Sequence, residues 1–221
     1  MTCFVQQADV SVHGTGTVTT PAFHTAMAGE TLLAFVASDG PAGSGKQMVS
    51  VSGAGLTWTL VKRANTQSGD SEVWQATASS VLPNASVTST PAKGAYAQDL
   101  TVVAYEGVKG IGASAAGSGA SGAPSLKLTT TASTSLVFAV GNDWDNAIPR
   151  TLPPGWAMLD QWTNTDVGDD YWSQYTNTPT GAAGTVVNVG DSAPTTDRSR
   201  SSCWATAADA SLGTPARVSS A

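Results

Sequence analysis

The chain is built from short runs rich in β-branched, aromatic and leucine residues, each closed off by a cluster of Gly, Pro, Asn or Ser. No long window carries apolar residues at a helical period of about 3.6. Runs punctuated every ten or so residues by turn formers read as strands of an all-β domain. They predict strands at Glu30–Ser38, Met48–Ser52, Leu56–Lys62, Ser71–Thr77, Ser86–Ser89 and Asp99–Tyr105. Others follow at Ser125–Thr130, Ser135–Gly141, Ala157–Thr163, Asp170–Tyr175 and Thr185–Val189. Asp9–Val12 and Thr15–Thr19 are weaker candidates, and the Ala-rich tract Ala205–Ser211 reads at most as a turn of helix.

Two kinds of run occur. Leu56, Trp58 and Leu60 alternate with Thr57 and Thr59, a half-buried pattern. Leu136–Val140 is apolar on both faces, which suits a strand covered from both sides. Together they predict a two-sheet antiparallel β-sandwich. Its length suits 221 residues as one unit. The single domain is expected over residues 1–197, with a poorly patterned tail over 198–221 that adds little to the core. No internal repeat is evident. Gly110–Ala123, rich in Gly, Ala and Ser, reads as a flexible crossover loop. Within it Gly117, Gly119 and Gly122 match a dinucleotide fingerprint in form only, because no helix follows to hold a phosphate.

Charge narrows the function. Charged residues make up 12% of the chain, about half the usual share, and the net charge is −6 with no basic stripe. Nucleic acid and anionic membrane surfaces are therefore disfavoured. The apolar runs fall short of the roughly 18 residues that a membrane-spanning helix needs. Met1–Val5 shows neither a basic nor an apolar signal region, so the expectation is a matured exported protein, or a piece of one, at the cell surface or outside it. It would be a monomer or one part of a multidomain chain. Cys3 and Cys203 lie near opposite ends. A disulfide between them is conceivable, but spacing cannot establish it, and two free thiols is the plainer reading.

Ala28–Val36, Gly55–Val61, Leu100–Val108 and Ser135–Asn142 resemble, run by run, the strands of jelly-roll domains in large secreted bacterial surface proteins. The likeness is one of apolar and Gly positions, spans about Ala22 to Asp197, and fades where a closing apolar strand would be expected. It implies a jelly-roll sandwich akin to carbohydrate-binding modules, often neighbouring carbohydrate-active or adhesive units, and brings no catalytic residues.

Among chemistry-bearing residues, His13 and His24 are the only histidines, and no Gly-x-Ser-x-Gly elbow is present, which argues against a serine hydrolase. With one carboxylate the two histidines would form only a sparse zinc site. The informative stretch is Gly141–Tyr175, where six aspartates and four of the seven tryptophans face one basic residue, Arg150. Alternation puts Asp160 with Trp162, Asp170 with Trp172 and Gln174, and Glu72 with Trp74. If these rows share a face, indoles and carboxylates line a groove suited to a polysaccharide or cell-surface glycan, with Trp144 as a further stacking ring. Core packing of the tryptophans is the competing reading. Asp143 and Asp145, with Asp169 from a neighbouring loop, are candidate Ca²⁺ ligands; no cofactor is otherwise required. Should the chain be a glycoside hydrolase, Glu72 and Glu106 are the candidate catalytic carboxylates, with Asp160 and Asp170 as alternatives. The expectation is a non-catalytic carbohydrate-binding module, with a hydrolase or a structural and adhesive domain as alternatives.

Overall fold

A computed structural model describes residues 5–119, 122–144, 147–190 and 203–212. Among them the chain is all strand and turn. In order come β1 (Val5–Thr15), β2 (Val18–Thr19), β3 (Glu30–Ser38), β4 (Val49–Gly53), β5 (Thr59–Ala64), β6 (Asp70–Ala78), β7 (Val87–Pro91) and β8 (Ala97–Glu106). There follow β9 (Val108–Ser118), β10 (Ser125–Thr129), β11 (Ser135–Asp143), β12 (Trp156–Asn164), β13 (Asp169–Thr176), β14 (Val186–Gly190) and β15 (Cys203–Leu212). No helix among the described residues is long and apolar enough to cross a membrane.

These strands form four antiparallel sheets, not the two expected. A first large sheet, β1-β8-β3-β6-β5, is covered on one face by the small sheet β2-β7-β4. Leu32, Ala34 and Val36 of β3 fill that gap against Val49, Val51 and Val87. The opposite face of the same strands packs on a second large sheet, β12-β13-β11-β15-β9. Here Leu33, Phe35 and Val103 meet Leu136, Phe138 and Tyr171, and the rings of Phe35 and Phe138 stack 5.6 Å apart. The second large sheet is covered in turn by β10-β14, through Val137 and Ala139 against Leu128 and Val189. Four layers explain why β3 and β11 are apolar on both faces: each is the middle strand of a sheet sandwiched between two others.

The pairing is nested within each half. β1 pairs with β8, β2 with β7 and β3 with β6; then β9 pairs with β15, β10 with β14 and β11 with β13. With β4 set aside, the two halves have the same strand order in the same sheets. A repeat exists in topology that the residues do not display, because sheet cores accept many apolar combinations of similar volume. The halves are also tied by polar contacts: Asn142 Nδ2 donates to the Ser38 carbonyl at 3.1 Å. Gly69 turns there at φ +80°, where a Cβ would lie 2.9 Å from the same carbonyl oxygen.

Two further expectations change. The tail after Asp197 is not outside the domain, since Cys203–Leu212 forms β15, hydrogen-bonded between β11 and β9. The tract read as a flexible crossover loop holds most of β9, the edge strand beside it. Ala, Ser and Gly have weak strand propensity, but pairing partners on a pre-formed sheet override it. β12 and β13 are joined by a tight hairpin at Asn164–Asp169, with Gly168 N donating to the Asn164 carbonyl and Asp166 N to Asn164 Oδ1. Cys3, Asp145 and most of the tail lie outside the described residues, and with them any Cys3–Cys203 pairing.

Candidate functional site

The three rows expected to line one groove lie on three separate faces. Cross-strand partners share a face of a sheet. Trp162 is registered with Tyr171, and Trp172 with Gln161, so Trp162 and Trp172 point to opposite sides of the β12–β13 hairpin. Asp160 and Trp162 turn inward, toward the first large sheet. Asp170, Trp172 and Gln174 turn outward, where Gln174 Nε2 donates to the Gly190 carbonyl of the small sheet at 3.2 Å. Glu72 and Trp74 lie in the other half, on the face toward β4, where Val49 N donates to Glu72 Oε1 at 3.1 Å.

Two of the three rows are held by protein partners. Glu72 is fully buried and accepts from Arg63 Nε and Trp74 Nε1, both at 2.5 Å. Glu106 is half-buried, with Gln7 Nε2 3.5 Å from its carboxylate. Glu72 pairs with Val36, and Tyr105, beside Glu106, pairs with Thr31. About six residues of strand, roughly 20 Å, therefore separate the two glutamates, well beyond the ~5–9.5 Å of a glycosidase pair. The alternative pair, Asp160 and Asp170, sits on opposite faces of one sheet. Trp172 is buried beneath Arg150, whose guanidinium carbon lies 4.9 Å from the ring centroid. Trp144 is half-buried on the segment after β11. Of the candidate calcium ligands, Asp143 is ion-paired with Arg150, and Asp169 accepts from the Tyr171 hydroxyl at 2.5 Å.

On the outward face a buried charge cluster results. Arg150 reaches Asp143 and also Asp170, 3.4 Å away. Asp170 further accepts from Thr163 Oγ1 at 2.5 Å and Gln161 Nε2 at 2.8 Å. Burial still pushes its carboxyl up to about 6, against the lowering by Thr163, Gln161 and Arg150.

The inward face holds a second cluster, on the seam between the two large sheets. His13 of β1 and Asp99 of β8 are registered partners, and Asp160 approaches from β12. The potential ligand atoms of all three lie within 4.8 Å of one another. Among the described residues no other three His, Cys, Asp or Glu side chains converge in this way. Asp99 is 1% exposed, and burial, followed by the charge of Asp160, a side-chain hydrogen bond with Asp160 and the charge of Asp170, pushes its carboxyl well up. His13 lies at the surface, stacked on Trp162 with centroids 4.5 Å apart, and Trp162 stacks in turn on Tyr171. Beside them Ser173 and Thr101 share a hydroxyl contact of 3.0 Å across the seam. The sparse zinc site that the sequence offers pairs His13 with His24 and names no carboxylate; here the partners of His13 are Asp99 and Asp160 instead. The available signal was an acid on the same strand face as Thr101, Val103 and Tyr105, in a run otherwise fit for a core. His24, by contrast, is exposed in a shallow depression beside Asp9 and is not one of the converging groups.

No protein-family model matches the chain, and comparison with curated proteins and with solved structures returns no match.

Proposed function

We propose that this chain is a non-catalytic structural or adhesive module of an extracellular bacterial surface protein, built as two jelly rolls fused through their large sheets. The nested pairing in each half supports the jelly-roll reading: a long hairpin rolled up on itself pairs its outermost strands first, then the next two, and so on inward. The fusion supports a mechanical role, since the seam joins the halves through an apolar core instead of a linker.

One observation carries the choice of this reading over a glycan groove or a hydrolase. The indole and carboxylate rows lie in three different interfaces, and the carboxylates of two of them, Glu72 and Asp170, are engaged by Arg63, Arg150, Gln161 and Thr163. A sugar-stacking surface needs indoles and hydrogen-bonding groups converging on one open face.

The test is a panel of polysaccharides incubated with the purified protein, scored for pull-down and for new reducing ends in the same tubes. The expected result is neither retention nor release on any glycan. Retention that disappears on Trp144→Ala would restore the carbohydrate-binding reading. New reducing ends that disappear on Glu106→Gln would make the chain a hydrolase.

A further inference from the structure

The cluster on the seam has a composition that the fold does not require. Three strands from both halves deliver an imidazole and two carboxylates to one point. Asp99 Oδ1 is buried there without a hydrogen-bond partner, although most buried carboxylate oxygens have one. Arg150 is held by Asp143 and Asp170 on the other face of the sheet. Two carboxyls that face each other in a low-dielectric seam need either a proton shared between them or a cation.

We propose that His13, Asp99 and Asp160 form a binding site for a divalent transition-metal ion of the zinc type, which clamps the two halves together. The inference goes beyond the module reading and does not depend on it. One nitrogen and two carboxylate oxygens suit Zn²⁺ and its neighbours, whereas Ca²⁺ and Mg²⁺ prefer oxygen donors throughout. The charge also balances, since a dication matches two carboxylates. Stacking on Trp162 occupies the face of the His13 ring and leaves its two nitrogens free at the edge, where a metal binds. Ligand atoms on a tetrahedral zinc about 2.1 Å away lie ~3.4 Å apart, so the three side chains need to draw in by about an ångström. His13, at the surface, is free to make that movement, and its exposed side leaves the fourth position to water.

The experiment uses the full chain with Cys3→Ser and Cys203→Ser, which removes competing thiols, stripped with chelator and titrated calorimetrically with Zn²⁺ alone. A parallel series follows the melting temperature, and a second titration uses Ca²⁺. The expected result is one zinc equivalent per chain, a melting temperature that climbs with zinc, and no comparable response to calcium. His13→Gln and Asp160→Asn should each weaken zinc by more than the roughly 10–100-fold that loss of an outer-shell partner costs. Asp99→Asn tests the buried ligand, but the two more exposed positions carry the conclusion if that variant fails to fold. Absence of zinc binding overturns the site, as does zinc binding that survives both His13→Gln and Asp160→Asn. Calcium binding without zinc overturns it too.

Discussion

Asp143 and Asp170 lie directly opposite each other on β11 and β13, and Arg150 pairs with both. Like charges opposed across a ladder are destabilising, and buried ones strongly so. The guanidinium is what makes this pair tolerable. Replacing it with a side chain of similar length and no charge should leave two buried carboxylates uncompensated. Arg150→Met is expected to cost about 3–5 kcal/mol in urea unfolding. A loss below about 1 kcal/mol would show that the cluster is hydrated in solution.

The same cluster gives stability a pH dependence. Burial raises the Asp170 carboxyl to about 6, so the folded chain holds this proton to higher pH than the unfolded chain does. Its contribution is complete below the unfolded value of about 4 and is lost as pH rises through about 6, on the order of 3 kcal/mol in all. Urea midpoints measured in chelator from about pH 4 to about pH 7 should fall over that interval. The Asp170→Asn variant should show a shallower fall than the parent. Equal slopes would assign the effect to other acids.

Gly141 is registered opposite Trp172, and a Cβ there would lie 2.8 Å from the indole Cη2. The ring cannot retreat, because Arg150 covers it. Gly141→Ala is expected to destabilise by about 1–3 kcal/mol through overpacking. Gly181→Ala, where a Cβ meets nothing within 4 Å, should change little and serves as the control.

Trp162 is the half-buried plate between His13 and Tyr171 on the seam. Trp162→Ala should cost about 3 kcal/mol and loosen the contact between the large sheets. Hydrogen exchange should then quicken in β1 and β12, whose contact it bridges, more than in β4 or β7. Uniform acceleration would mean that the halves unfold as one unit regardless of the seam.

A chain ending at Asp197 lacks β15 and leaves β11 and β9 without their shared neighbour. Two rows of backbone donors and acceptors would open inside a sheet, together with the apolar seam that Ala210 helps to cover. This truncation should fold poorly and aggregate. A soluble, cooperatively melting product would show that β15 is dispensable.

Local chemistry was legible in the residues. Alternating or doubly apolar runs bounded by turn formers located most strands. Leu136–Val140 also declared itself covered on both faces. β15 was hidden, because Ala and Ser do not mark a strand and only the neighbouring β11 and β9 make one of them. The repeat was hidden because what recurs is a pairing order, which no local residue pattern encodes.

The candidate site divides in the same way. Which side chains share a face within one strand follows from a period of two, and Asp160 with Trp162, or Asp170 with Trp172, is correct at that level. Which rows meet across strands depends on register, where a step of one residue sends a side chain to the other side of the sheet. That step joined Trp162 to Tyr171 instead of Trp172 and so divided the expected groove. His13, Asp99 and Asp160 are separated by 86 and 61 positions in the chain. An all-β chain and the composition of each strand face follow from the residues alone, whereas this imidazole and these two carboxylates meet because the two large sheets stack.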